Sequence, residues 1–320
     1  MLEVLEAGGL VTMQDAGRPG WRRYGMPFSG PMDAFAFRAA NLLVGNPSSA
    51  AAVEIGGDVV LRALYDCVIA VTGAGIELSI NSWDFPLWGS YFVRGGWQIR
   101  LARARFGMWA YLAAAGGFDG QLVLGSRSTY LRGRFGGLDG RPIQAGDRLT
   151  ILQPRHDLLE VAARKVAEEA RPAYSAAPAV GVILGPQSHR FHADDLAIFL
   201  SSPYHVNLAS DRMGYRLDGA RLANGSQSDI TSEGMAMGSI QVPADGQPIV
   251  MMADCATTGG YAKIACVTSA DLPLLAQCTP GRDQVRFRQV TLESAQVSYR
   301  MQMDRLKAGI IGAEDERWGG

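Results

Sequence analysis

Thirty-nine glycines divide the 320 residues into short runs rich in Val, Ile and Leu, each closed by Gly, Asp-Gly or Pro. Runs this short are too brief for long helices, and the breakers between them are turn-formers, so the chain reads as mostly β, with strands stacked or closed on themselves. Val59–Val71 and Trp97–Leu101 are examples. A chain of 320 residues exceeds one ordinary core of roughly 100–150 residues and suits two. One helix interrupts the first lobe: Pro31 occupies the first helical position, Phe35, Ala39, Leu42 and Leu43 share a face, and Gly45 ends it. This helix is expected to lie across a barrel mouth or flank. Asp157 to Ala170 reads as a charged helix and 171–178 as an extended connector. The expected division is therefore a lobe over 1–155, a helix and linker over 156–178, a second lobe over 179–290, and a helix with a mobile glycine-ended tail over 291–320.

Charge narrows the partners. Thirty basic and 31 acidic residues leave a formal charge of -1, which gives no electrostatic reason for nucleic acid or an anionic membrane. The acidic start Met1-Leu2-Glu3-Val4-Leu5-Glu6 lacks the features of a secretory signal, and no apolar run approaches the roughly 18–20 residues of a membrane helix, so a cytoplasmic location is expected. Cys67, Cys255, Cys266 and Cys278 lack the spacing of a zinc site or redox pair and read as free thiols. His189 and His192 have no acidic or thiol partner at a ligand spacing, so no metal is expected there.

Familiar catalytic motifs fail on context. Val68 to Gly75 ends in Gly-Ala-Gly like a dinucleotide loop, but Ile76 to Ile80 then alternates as a strand and no helix follows. Gly125-Ser126-Arg127-Ser128-Thr129 is not a G-x-S-x-G elbow, and no P-loop is present. A weak echo joins the lobes: Gly96 to Ile99 reaches Tyr111, and Gly246 to Ile249 reaches Tyr261, both after fifteen residues.

Four segments are informative. The first is Gln14-Asp15-Ala16-Gly17-Arg18-Pro19-Gly20, leading through Gly25, Ser29-Gly30, Asp33, Asn41 and Gly45-Asn46 to Glu54. The second is Leu124 to Thr129 with Gly136-Gly137 and Gly140-Arg141-Pro142. The third is Ser210-Asp211-Arg212-Met213-Gly214 to Leu217. The fourth runs from Gly238 through Gln241, Asp245-Gly246, Asp254, Thr257-Thr258-Gly259-Gly260-Tyr261 and Lys263 to Asp271. In this order, from about Val11 to Phe287, they resemble the allophanate hydrolase subunit 2 family, also described as biotin-dependent carboxyltransferase-like. The resemblance implies two cyclophilin-like β-barrel lobes with a few short helices. It also implies work beside a smaller homologous B subunit and a separate A subunit, as in a prokaryotic ATP-dependent 5-oxoprolinase. Alternatives within it are a carboxyltransferase subunit acting on urea or a similar amide, and a regulatory binder that antagonises a sensor-kinase inhibitor. Cys255, Ala256 and Ala262 depart from the family's usual residues, which are longer and polar at the first two and proline at the third.

Activating an amide or lactam carbonyl, by carboxylation at nitrogen or phosphorylation at oxygen, develops negative charge on oxygens and calls for fixed donors and cations. Arg18, Arg212, Lys263 and the backbone N–H groups of Thr258, Gly259 and Gly260 suit that need. Asp254 is the candidate proton acceptor, with Asp271 as a second group able to orient a substrate N–H; Gln241, Thr257 and Tyr261 complete a small-molecule site. The competing reading is structural: glycines in tight turns, Asp33 and Asp211 as caps, and Arg212 paired with Glu233 or Asp211. ATP with Mg is expected in the assembled complex, biotin only under the carboxyltransferase alternative, and neither on the isolated chain. It carries no biotin-acceptor Met-Lys-Met and no recognisable nucleotide domain.

Overall fold

The computed structural model describes residues 1–104, 106–222 and 229–312; the tail expected to be mobile lies, from residue 313, outside them. Two compact units emerge. One comprises Met1–Arg18, Ser29–Pro172 and the chain from Met303, and the other Pro19–Phe28 and Ala173–Gln302. In the first lie β1 (Leu2–Ala7), β2 (Leu10–Gln14), α1 (Ala34–Leu43), β3 (Ala52–Gly56), β4 (Val59–Ala63), β5 (Cys67–Gly73), β6 (Ile76–Ile80), β7 (Trp83–Phe85), β8 (Gly89–Val93), β9 (Gln98–Arg103), β10 (Ala110–Ala114), β11 (Arg148–Leu149), α2 (Leu158–Val161) and β12 (Lys165–Val166). The second holds β13 (Ala179–Leu184), α3 (Ala193–Ser201), β14 (Tyr204–Val206), β15 (Gly214–Gly219), β16 (Asp229–Gly234), β17 (Ser239–Gln241), β18 (Ile249–Met251), β19 (Thr258–Tyr261), β20 (Lys263–Val267), α4 (Leu272–Ala276) and β21 (Gln284–Gln289). Helix α5 (Leu292–Ala308) follows where an amphipathic helix is expected, and β22 (Ile310–Ile311) rejoins the first unit.

The molecule is mainly β, as the glycine-divided runs predict. In the first unit a six-stranded sheet, β11-β1-β4-β9-β6-β7, faces a seven-stranded one, β2-β3-β10-β5-β8-β12-β22. Closure of this unit into a barrel is not among the described pairings. Leu61, Leu78, Ile99 and Leu101 from one sheet and Val53, Ile55, Ile69, Val71 and Leu112 from the other form a single core. The sequence shows which faces are covered. Strand β9 alternates, with Ile99 and Leu101 inward and Arg100 exposed, so its outer face is wet. Strands β5 and β10 are buried along their whole lengths because α1 lies on their outer face, where Phe37 meets Tyr111 edge-on at 6.0 Å. The Val68–Ile80 region is strand, turn and strand, as its alternation predicts.

Helix α1 starts later than expected. Pro31 lies before it, and Asp33 is the N-cap, its Oδ1 accepting the Ala36 N–H at 2.9 Å. Segments one and two dock on each other: Asp15 accepts from the Gly17 N–H and from the hydroxyls of Ser126 and Ser128. The helix expected from Asp157 to Ala170 is corrected to a single turn, α2, then β12 and a 3-10 turn over Glu168–Ala170. Ala163 takes a left-handed φ of 58°, which stops the helix, and the pairing of Lys165 and Val166 with Ile311 and Ile310 satisfies backbone groups in its place. The echoed tyrosines fall in opposite settings, Tyr111 wholly buried and Tyr261 40% exposed.

In the second unit β13-β20-β17-β18-β15-β14-β21 close a seven-stranded barrel, and β16 pairs with β19 as a separate ribbon. Parallel pairing of β13 with β21 closes it, Gly181 opposite Arg288. No helix among the described residues is long and apolar enough to cross a membrane.

Candidate active site

Most residues singled out in the sequence gather on the barrel of the second unit. Gln241 ends β17 and Lys263 opens β20, and the two are register partners, so their side chains leave the same face. The β16/β19 ribbon continues this patch. Glu233 on β16 stands opposite Gly259 on β19, and a methyl added to Gly259 would come within 2.4 Å of both Gln241 Nε2 and Met235 Cε. Only glycine therefore lets β19 pass this close to the Gln241 amide. Gln241 is 7% exposed and its Nε2 has no hydrogen-bond acceptor, an unusual state for a buried donor.

Lys263, also buried, donates through Nζ to Glu233 Oε1. Gln187 ties the pair together, giving its amide N–H to the same oxygen at 2.7 Å and accepting the Lys263 backbone N–H at 3.3 Å. The Lys263 ammonium, and secondarily Gln187, hold the Glu233 carboxyl below the usual carboxylate range. Arg212 precedes β15 and Asp254 follows β18. Arg212 Nε donates to Asp254 Oδ2 at 2.8 Å and its NH2 to Oδ1 at 3.2 Å, both side chains being almost fully buried. The backbone repeats the connection, Asp254 N–H donating to Arg212 O at 2.8 Å. The Arg212–Glu233 pair of the structural reading is thus replaced by Arg212–Asp254 and Lys263–Glu233.

Two of the singled-out residues lie elsewhere. Arg18 belongs to the first unit, where it donates to the carbonyls of Val123 and Ser128 and lies 4.9 Å from the Phe135 ring centroid. Asp271 accepts the Gly181 N–H at 2.6 Å and pairs with Arg288 at 3.0 Å, stapling the two register partners that close the barrel.

Arg22 and Arg23 carry no motif in the sequence. They stand in a 3-10 turn, Arg22–Tyr24, within the stretch that joins the second unit. Arg22 NH2 donates to the carbonyls of Met235 and, at 3.2 Å, Ala256, and its guanidinium lies 3.8 Å from Cys255 Sγ. Burial raises the Cys255 thiol above its ordinary value, and Arg22 opposes that rise. Arg22 and Arg23 border an open pocket of about 530 Å³ that also takes in Met235, Thr257 and Thr258. The only signal was the polarity of Trp21-Arg22-Arg23-Tyr24, which reads equally as surface, because the carbonyl partners of Arg22 lie more than 200 residues away.

A small closed barrel with two cation–carboxylate pairs, and an open pocket bordered by Arg22 and Arg23, define a barrel-containing enzyme component. The chain belongs to the carboxyltransferase domain, subdomain A and B family, whose model matches residues 24–289. It is 39% identical over 298 residues to the C subunit of 5-oxoprolinase from Escherichia coli, covering 92% of this chain and 93% of that one. Among solved structures it is similar to the protein TTHA0988, with a TM-score of 0.81 and 35% identity over 90% of this chain and 55% of that one. It also matches the K. lactis urea amidolyase, with a TM-score of 0.88 and 28% identity over 97% of this chain. The chain spans about half the length of the first of these structures and a fifth of the second.

Proposed function

We propose that this chain is the C subunit of an ATP-dependent 5-oxoprolinase, acting with a smaller homologous B subunit and a separate A subunit to open the lactam of 5-oxoproline to glutamate. The observation that carries this reading is near end-to-end similarity, at 39% identity, to a protein named as that subunit. The geometry is compatible with it. In this reading Lys263 and the Gln241 amide, which leave one face of the barrel, donate to a lactam oxygen as it gains negative charge, and the buried Arg212–Asp254 pair ties the start of β15 to the end of β18. The proposal keeps Asp254 as proton acceptor and Thr257, Thr258, Gly259, Gly260 and Tyr261 as the substrate wall. Arg18 and Asp271, expected as a catalytic and a substrate-binding group, act in this reading as supports through the contacts described above.

ATP is a co-substrate of the complex, and its terminal phosphoryl group would activate the lactam oxygen. The chain has no P-loop, and no group of three or more metal-binding side chains occurs among the described residues. The same reading includes cyclophilin-like character for both lobes, a lobe boundary within 155–178, and a cytoplasmic location. A second reading, transfer of a carboxyl group from biotin to urea or a similar amide, is favoured by the likeness to the K. lactis urea amidolyase. The test is reconstitution with candidate A and B subunits. ATP-dependent loss of 5-oxoproline with formation of glutamate is expected, whereas turnover of urea with a biotin carboxylase and carrier, and none of 5-oxoproline, would transfer the chain to the second reading.

A further inference from the structure

We propose that the pocket bordered by Arg22, Arg23, Thr257 and Thr258 is a carboxylate-binding subsite; on the 5-oxoprolinase reading, on which this assignment of ligand rests, it takes the carboxylate of the lactam acid. Neither arginine has an acidic partner among the described residues, although the other pairs described around the barrel bring cation and carboxylate together. Arg22 is held in place by two main-chain carbonyls, both on NH2, and by the Cys255 thiol; its Nε–H and one NH1 hydrogen stay uncommitted, so its charge is fixed but not neutralised. Arg23, exposed, lies with its guanidinium 4.9 Å from the Tyr24 ring centroid, which leaves its edge available. A planar carboxylate matches the edge of Arg23 with two parallel hydrogen bonds, the remaining donors of Arg22 add single ones, and Thr257 and Thr258 border the same space.

A second observation points the same way. Met235 lines this pocket, and its methyl and the Gln241 amide each lie 2.4 Å from the point a Cβ on Gly259 would occupy. That amide N–H is buried and without an acceptor, so a polar ligand atom reaching past the flexible thioether would satisfy it. Carboxylate at the arginines and carbonyl toward Gln241 is the polarity of a small lactam acid. Urea, uncharged and without a carboxylate, would leave both arginines unmatched. The volume, about 530 Å³, is ample for such a ligand.

The experiment uses the reconstituted complex and two variants. Arg23→Gln alters an exposed side chain, so the fold is retained; Arg22→Lys keeps the charge and loses the directed guanidinium donors. The KM for 5-oxoproline is expected to rise roughly tenfold to hundredfold in each, the range for losing a charge-assisted hydrogen bond, with the loss falling on KM rather than kcat. Binding to the complex is measured in parallel by calorimetry with 5-oxoproline, with 2-pyrrolidinone, the same ring without its carboxylate, and with inorganic phosphate. The wild type should prefer 5-oxoproline over 2-pyrrolidinone, and both variants should lose that preference. Unchanged KM in both variants, equal or absent binding of the two lactams, or tighter binding of phosphate than of 5-oxoproline would each overturn the proposal. If the wild-type complex fails to turn over 5-oxoproline, the 5-oxoprolinase reading falls, while the binding comparison still decides whether the pocket selects a carboxylate.

Discussion

Arg212 and Asp254 have side chains 5% and 6% exposed, and removing one partner would leave the other charged and buried. Breaking such a pair typically costs about 3–5 kcal/mol, so Arg212→Ala and Asp254→Asn should lower the melting temperature markedly, whatever their effect on rate. Thermal melts check this, and a wild-type melt in both variants would remove the pair from the framework. Lys263 separates chemistry from stability better, because its partner Glu233 is 42% exposed and can turn to water. Lys263→Met should reduce ATP-dependent 5-oxoproline turnover by roughly 10²–10³, the usual loss for a positioned donor, with a much smaller change in melting. Equal falls in both would make Lys263 structural. The pH dependence has a fixed sign. Glu233 has its carboxyl depressed by Lys263, so its contribution is present above the ordinary carboxylate range and is lost as pH falls through the depressed folded value. Amide protection factors in β16, taken relative to intrinsic exchange at each pH, should therefore fall only in acid, and Glu233→Gln should flatten that dependence. Lys263 and Asp254 were legible in the sequence because polar residues there interrupt apolar strands. Arg22 was not, because a long side chain that ends on distant carbonyls leaves no local pattern.

At the scale of elements, burial on two faces against one was readable from uninterrupted against alternating apolar residues, as in β5 and β9. The misreading of 157–170 has the opposite cause. Leu158, Leu159, Ala162 and Val166 have helical spacing, but one left-handed residue, Ala163, and an edge partner more than a hundred residues away override it. Turn geometry gives a paired test. Gly140 has φ of 66°, and an added Cβ would lie 1.9 Å from the Arg134 carbonyl carbon, which cannot move without moving its turn. Gly20, with φ of 87°, has nothing within 4 Å of such a Cβ. Gly20→Ala should cost only the left-handed conformation, about 1–2 kcal/mol, whereas Gly140→Ala should exceed that by the overpacking cost, about 1–3 kcal/mol or more. Denaturant titration of the two variants measures the difference, and equal midpoints would show that the Arg134 turn is free to shift.

For the whole molecule, the groups proposed to act on the substrate are donors, cations and one carboxylate, and no nucleotide-binding motif accompanies them. Stabilising charge on a lactam oxygen does not by itself phosphorylate it, so under the proposed function this chain is one part of a larger catalyst. Such a part should bind its partners in the folded state only, and binding of that kind raises apparent stability by mass action, about 2.7 kcal/mol when the partner is at a hundred times its Kd. Co-expression with the smaller homologous partner is therefore expected to give a single co-eluting species on size-exclusion chromatography. Its melting temperature should exceed that of this chain alone and climb with partner concentration. The dependence on concentration distinguishes assembly from chance co-purification, since a contaminant that elutes at the same volume leaves the melt unchanged. Separate elution at all ratios, with a melt indifferent to the added partner, would remove that partnership and leave any activity to be sought in this chain by itself.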